Sequence, residues 1–270
     1  MLFTKMQGAG NDFVIVDGFS YQTLGDVNAL AKQICSRHYG VGADGLIWIC
    51  PSSVTDANVR IFNADGTEAE TCGNGLRCAA KYLRDAGIVH SDNMRLNTAA
   101  GAVMARVGVG GVSVDMGEPN FDPSRIPVNG ESNCVTLPVG TRTAQFFCVS
   151  MGNPHAVTFD YFPNEEELLK IGPKLEHDPV FPKGANIEFA RIEDSVIHVQ
   201  VWERGDGRTL ACGSGACACL AAANSLHLIG READVQMPGG RIHILWNNTG
   251  HMIMAGEAKT VFTGDWKGII

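Results

Sequence analysis

The 270-residue chain has no apolar run long enough to span a bilayer as a helix, and no basic segment leading into an apolar one. On these absences no membrane partner and no export signal are expected, and the cytoplasm is the expected compartment. Positive charge is also short. There are 21 Lys and Arg against 29 Asp and Glu, a net charge of −8. A binder of phosphate backbones needs the opposite balance, so no nucleic-acid partner is expected. No Gly-Lys-Ser/Thr follows any glycine cluster, which removes a phosphate-binding loop. The cysteines show neither Cys-x-x-Cys nor a common zinc spacing, so no metal site is expected. No cofactor motif is visible, and no lysine stands out for a Schiff base, so no cofactor is expected.

What is present is ordinary in bulk and unusual in detail. Hydrophobic residues make up 45% and charged residues 19%, as in a globular protein with one large or two medium domains. Nine cysteines is a high, odd number. In a chain of this length most are expected to be small core residues, the exceptions being catalysts.

Three blocks occur twice in the same order. Gly10-Asn11-Asp12-Phe13 returns as Gly152-Asn153-Pro154-His155, Gly42-Ala43-Asp44 as Gly184-Ala185-Asn186, and Cys72-Gly73-Asn74-Gly75 as Cys212-Gly213-Ser214-Gly215. From Asn11 to Asn153, Gly42 to Gly184 and Cys72 to Cys212, the offsets are 142, 142 and 140 residues. Three pairs in register imply two copies of one unit. The break is expected in the polar, proline-containing stretch Gly117-Glu118-Pro119-Asn120-Phe121-Asp122-Pro123.

Each copy reads as strands with one or two helices. Val14–Val16 and Leu46–Ile49 are short apolar runs, and Ile197–Trp202 alternates apolar with polar. Val103–Val107 and Val112–Met116 flank Gly110-Gly111 as a hairpin. The clearest helices are Leu76–Ala86 and Ala216–Leu228, each following a cysteine block, with an earlier one over Val27–Ser36 after Asp26.

A Cys-Gly-x-Gly block ahead of a helix has chemical consequences. The helix start offers unpaired N–H groups and a positive dipole end, and glycines let a ligand approach the backbone. That suits a carboxylate, and it is expected to lower the pKa of a thiol there, giving thiolate near neutral pH. One such block is a weak signal; two related by a repeat are a strong one. If the halves face each other, one ligand lies between two thiols, Cys72 and Cys212. One thiolate then takes an α-proton from one face and the other thiol returns a proton to the opposite face, while the helix ends stabilise the carbanion. Glu203 lies nine residues before Cys212, and Asn63 holds the matching place before Cys72. Taken alone, His155 is either a satisfied loop histidine or a proton carrier, and Glu203-Arg204 is either a surface ion pair or part of the site. Asn11, Asn63, Asn74, Asn153 and Asn186 all fall in repeated blocks, where they serve either turns or recognition of ammonium and carboxylate groups. A non-enzymatic binding module would not need two symmetry-placed thiols.

At these residues the chain resembles the diaminopimelate epimerase family. The resemblance rests on Met6–Phe13, Arg37–Gly45, Phe62–Gly66, Cys72–Cys78, Met116–Pro119, Met151–His155, Glu203–Gly205 and Ala211–Ala216. It implies an α/β (α+β) fold of two pseudo-symmetric domains, each a curled, mostly antiparallel sheet around a central helix. The halves are expected at 1–118 plus 259–270 and at 119–258, with the final strand returning to the first half. The implied activity is interconversion of LL- and meso-diaminopimelate, on the route to lysine and peptidoglycan, without cofactor or metal, by a homodimer. Cys72 and Cys212 would be base and acid, with His155 and Glu203 tuning the two thiols. Asn11, Asn63, Asn153, Asn186 and Arg204 would hold the substrate, with Arg204 on the distal carboxylate. The backbones of Gly73-Asn74 and Gly213-Ser214 would hold the carboxylate at the inverting centre. The chain departs from the family pattern at Gly45, where some members carry Gln, and at Arg208, where many carry an acidic residue. The alternative reading is a related racemase of broader or different substrate choice.

Overall fold

The duplicated blocks recur as duplicated structure. A computed structural model of the chain describes residues 1–21 and 25–268. It divides into two units, Met1–Asp115 with Ala255–Ile270, and Met116–Met254. The breaks fall three and four residues before those expected from sequence. The last two positions of the expected final strand, 269 and 270, lie outside the described residues.

In the first unit, β1 (Leu2–Gly8) pairs antiparallel with β2 (Asn11–Asp17), and β2 runs parallel to β3 (Gly45–Cys50). The crossover between them carries α1 (Val27–Cys35), capped by Asp26. β3 pairs antiparallel with β4 (Ala57–Asn63), whose end meets the short β5 (Glu68–Ala69). After α2 (Gly73–Asp85), β6 (Asn93–Thr98) returns parallel to β4 and leads into β7 (Gly101–Gly108) and β8 (Gly111–Asp115) as an antiparallel meander. The sheet is completed on its other side by β18 (Lys259–Asp265), antiparallel to β1.

The second unit repeats this plan. β9 (Cys134–Val139) stands to β10 (Arg142–Ser150) as β18 stands to β1. β10 pairs with β11 (Pro154–Thr158), which runs parallel to β12 (Asn186–Glu193) across the α3 crossover (Glu165–Glu176). β13 (Val196–Glu203) with the short β14 (Gly207–Arg208), α4 (Gly213–Ser225), β15 (Glu232–Met237), β16 (Gly240–Trp246) and β17 (Met252–Gly256) follow in the same order as β4 to β8.

Two layers of packing explain why these segments take these forms. α2 touches β1, β2, β3, β4, β7 and β8, and α4 touches β10 to β13, β15 and β16, so each sheet wraps its helix. α4 carries no charged side chain and is buried nearly all round, as a central helix must be. Its Ala and Cys side chains let the sheet approach closely. On the outer faces, Val27, Leu30, Ala31 and Ile34 of α1 cover Val14, Val16, Leu46 and Phe62. Leu168 and Leu175 of α3 cover Phe146, Ala156, Ile187 and Phe189. Truncating the fully buried Phe189 to Ala would cost about 3–5 kcal/mol.

The helix α3 was not apparent from sequence. It contains Pro173 and Gly172, both breakers in isolation. An Asn164–Glu167 capping box starts it, and Gly172 is needed because a Cβ there would sit 2.4 Å from the Trp202 indole.

Candidate active site

The cysteine helices begin three residues earlier than expected. Cys72 and Cys212 are the N-cap residues, and the glycines form the first turn. The reason is that a first-turn N–H has no partner inside the helix, so glycine's weak propensity costs little there. The thiols are thereby held at the helix ends themselves.

In the first unit, the Cys72 Sγ lies 3.6 Å from Asn11 Oδ1, which also accepts from Asn74 Nδ2 at 3.3 Å. Asn11 Nδ2 donates to Asp44 Oδ2 at 2.8 Å. Asp44 belongs to a charged cluster in which Arg37 bonds Asp44 at 2.6 Å and the buried Lys5 bonds Asp12 at 2.6 Å. Burial pushes the Asp12 carboxyl up, but the hydrogen bond and charge of Lys5, with the bonds to Asp44, outweigh it and hold it below its usual range. This cluster fixes Asn11 from behind, and sequence reading missed it. Its signal was Asp12 and Asp44 standing beside the repeated residues.

The second unit repeats the arrangement with different groups. Asn153 Nδ2 donates to Ser214 Oγ at 3.4 Å, the reverse of the first unit, where Asn74 donates to Asn11. The Ser214 Oγ lies 3.5 Å from Cys212 Sγ, and the Gly215 N–H donates to that sulfur at 3.3 Å. Cys72 makes no such cap bond. At the ends of β4 and β13, Asn63 and Glu203 occupy matching places, and each is held by a threonine. Asn63 Nδ2 donates to Thr67 Oγ1 at 3.0 Å, and Thr209 Oγ1 donates to Glu203. Glu203 also bonds to Cys212 and feels the charge of His155, so both residues belong to the Cys212 cluster.

The expected lowering of the thiol pKa does not hold at Cys212. Burial raises it well above the usual thiol value, and the negative charges of Glu203 and Glu188 raise it further, more than Ser214's hydrogen bond lowers it. Helix-end stabilisation loses because the sulfur is almost fully buried and faces two carboxylates. Cys212 therefore rests as a thiol. Glu203 is itself pushed up, by burial first, against the lowering bonds from Thr209 and Cys212.

Asn186 and Arg204 come together, but mostly through backbone. Asn186 is buried, donates to the Pro154 carbonyl at 2.8 Å and accepts the Arg204 N–H at 2.9 Å. The Arg204 side chain is exposed, with one bond to the Lys183 carbonyl at 3.4 Å. The buried Glu176 braces the same turn, accepting from Gly205 N–H at 2.9 Å and from the Trp202 indole at 2.8 Å. At the two departures, a Cβ on residue 45 would lie 2.7 Å from the Phe62 carbonyl, so glycine is what this backbone admits. Arg208 pairs with Glu165 at 3.3 Å, which balances its charge.

The solved structures that resemble the chain share its duplicated fold. A probable proline racemase from Agrobacterium radiobacter aligns with TM-score 0.73 at 14% identity, covering 98% of this chain and 92% of that one. A predicted epimerase from Pseudomonas aeruginosa aligns with TM-score 0.70 at 16% identity, covering 99% of each. At these identities the likeness shows the fold, the class of duplicated α/β proteins in which each sheet wraps a helix. Sequence likeness then narrows the class. The family model for diaminopimelate epimerase matches residues 3–122 and 147–261. Diaminopimelate epimerases from Desulfovibrio desulfuricans and Acetivibrio thermocellus are 44% and 45% identical, over 98% of this chain and 97% and 98% of their own lengths. The chain belongs to the diaminopimelate epimerase family.

Proposed function

We propose that the chain interconverts LL- and meso-diaminopimelate by moving a proton at the α-carbon, with Cys72 and Cys212 as the acid/base pair, on the route to lysine and peptidoglycan. The observation that carries this reading is the pair of cysteines, each capping a helix and each bonded through an asparagine cluster, in a chain of this family. In one direction the Cys72 thiolate takes the α-proton and the Cys212 thiol supplies one to the opposite face. The reverse direction exchanges the roles. Glu203, bonded to Cys212, takes or returns that thiol's proton, and His155 tunes the same cluster. The negative charge that develops on the substrate's carboxylate is met by the first-turn N–H groups around Gly73-Asn74 and Gly213-Ser214. Asn11, Asn63, Asn153 and Asn186 hold the ammonium and carboxylate groups, and Arg204 takes the distal carboxylate. No cofactor or metal takes part.

The test is α-deuterium exchange in heavy water, run over diaminopimelate isomers and a panel of other amino acids. Exchange is expected with diaminopimelate only. Exchange across the panel would make the protein a broader racemase, and none at all would remove the activity. Cys72→Ser and Cys212→Ser are each expected to lower turnover by about 10²–10⁴-fold.

Two finer statements belong to the same proposal. The enzyme works in the cytoplasm; among the described residues no helix is long and apolar enough to cross a membrane. It works as a homodimer, a reading supported by exposed Leu2, Val261 and Phe262 on β1 and β18, and light scattering at micromolar concentration checks it.

A further inference from the structure

The two units differ sharply at one buried point. In the first, the opening turn of α2 packs on apolar side chains, and a Cβ added at Gly75 would meet Ile61 and Ile47 at 3.2 and 3.3 Å and Phe13 at 3.5 Å. In the second, the places of Phe13 and Ile47 are taken by His155 and Glu188. The strand pairings match, with Ile15 beside Ile47 and Val157 beside Glu188. A Cβ at Gly215 would lie 2.7 Å from Glu188 Oε1. His155 and Glu188 are both fully buried and joined at 2.6 Å, from Nδ1 to Oε1. Among the described residues, Glu188 Oε2 is buried with no hydrogen-bond partner. A buried ion pair in a place where the same fold accepts Phe and Ile is not there for stability, because such pairs generally stabilise less than apolar residues of similar volume.

Its connections show what it does instead. His155 Nε2 lies 2.9 Å from Asn153 Oδ1, so that nitrogen carries a proton. The opposite nitrogen faces Glu188 Oε1 at 2.6 Å, and a hydrogen bond joins the two. Asn153, accepting at Oδ1, presents Nδ2 to Ser214 Oγ at 3.4 Å. Ser214 Oγ, accepting there, has its own hydrogen for Cys212 Sγ at 3.5 Å. Every donor in this chain points the same way.

We infer that Glu188 is a positioning residue: by holding a proton on His155 it orients the chain His155–Asn153–Ser214 so that a hydroxyl donor faces the Cys212 sulfur whenever that sulfur is a thiolate. This deepens the proposed role of Cys212 as an acid/base and rests on it. Around this end of α4 the other ionisable groups include Glu203 from β13, Cys148 from β10, and Cys217 and Cys219 on α4 itself. Glu188's charge also raises the Cys212 pKa, so the test must hold that charge constant while the direction of the hydrogen bonds is changed.

The first test needs no activity. In protein labelled with ¹⁵N-histidine, the His155 signals, identified by their loss in His155→Phe, are expected to show Nε2 protonated at neutral pH. An unprotonated Nε2 overturns the inference. The second test follows alkylation of the Cys212 and Cys72 peptides against pH by mass spectrometry. Glu188→Ile is expected to place the Cys212 profile about one pH unit above that of Glu188→Gln, which removes the same charge, to leave Cys72 in place, and to lower kcat about tenfold with KM within twofold. Glu188→Gln, whose amide can donate to Nδ1 and keep Nε2 protonated, is expected to recover most of that loss. Coincident Cys212 profiles in folded Glu188→Ile and Glu188→Gln overturn the inference, as does an equal difference at Cys72. If Glu188→Ile does not fold, His155→Phe/Glu188→Ile recreates the apolar pair of the first unit. Its Cys212 profile must then lie above that of Glu188→Gln by the same interval, and a coincident profile is disproof. Loss of turnover in Cys212→Ser tests the role of Cys212 separately from all of these.

Discussion

Gly75→Ala and Gly215→Ala place the same methyl on the same turn of two equivalent helices, so their difference isolates what lies underneath. Helix propensity favours alanine by up to about 1 kcal/mol, with the same sign at both sites. At residue 75 the new carbon meets side-chain ends of Ile61 and Ile47 at 3.2 and 3.3 Å. Those ends yield by a few tenths of an ångström, and the variant is expected within about 1 kcal/mol of the parent. At residue 215 it lies 2.7 Å from a carboxylate oxygen that His155 holds at 2.6 Å. That oxygen must retreat by roughly 0.7 Å to reach ordinary contact, which lengthens its bond beyond the charge-assisted range. Overpacking contributes about 1–3 kcal/mol and the weakened bond about 1–2 kcal/mol more. After the propensity gain, a net loss of about 1–4 kcal/mol is expected, a fall in melting temperature of about 2–16 °C. Scanning calorimetry on the two variants measures it. Equal melting temperatures would refute the reasoning, because they would mean that Glu188 is no more fixed than the end of an isoleucine.

Three other outcomes follow from the same geometry. Thr209→Val removes a bond that lowers the Glu203 pKa, so the acid limb of the kcat/KM profile is expected to move to higher pH, whereas Thr67→Val, acting on the neutral Asn63, leaves the limb in place. The folded pKa of Asp12 lies below its ordinary 3.8, so its contribution to stability is present above that value and is lost as pH falls through the folded value. Asp12→Asn is therefore expected to cost about 1–3 kcal/mol at neutral pH and less in acid, read by urea unfolding at several pH values. Burial pushes the Cys35, Cys78 and Cys148 thiols up to about 12, so native-state alkylation at pH 8 is expected to modify the exposed Cys134 and leave those three untouched until the protein is unfolded.

The duplication was legible because its markers are glycines and asparagines at turns and helix ends, where backbone geometry admits few alternatives. At those same turns and helix ends the structure sets Asn11 beside Cys72, and Asn153, Ser214 and Glu203 around Cys212. Glu188 was missed because a single carboxylate in Asn186-Ile187-Glu188-Phe189 reads as one polar step in an alternating strand. Nothing local says that both faces of that strand are covered. α3 was missed because Gly172 and Pro173 argue against a helix, and only Trp202, thirty residues on, supplies the reason for the glycine. The thiol pKa went the other way at Cys212 because sequence shows the helix end but not the depth of burial or the carboxylates brought in by β12 and β13.

The place of β18 sets an order on synthesis. The second unit is continuous in sequence, but the first waits for a strand that is made after it. At ordinary translation rates the roughly 140 intervening residues take about 7–30 s. Throughout that interval β1 emerges with one edge unpaired, open to any extended segment that meets it. The half of the protein that leaves the ribosome first is thus the half that finishes last, and the few residues of β18 decide when it is finished.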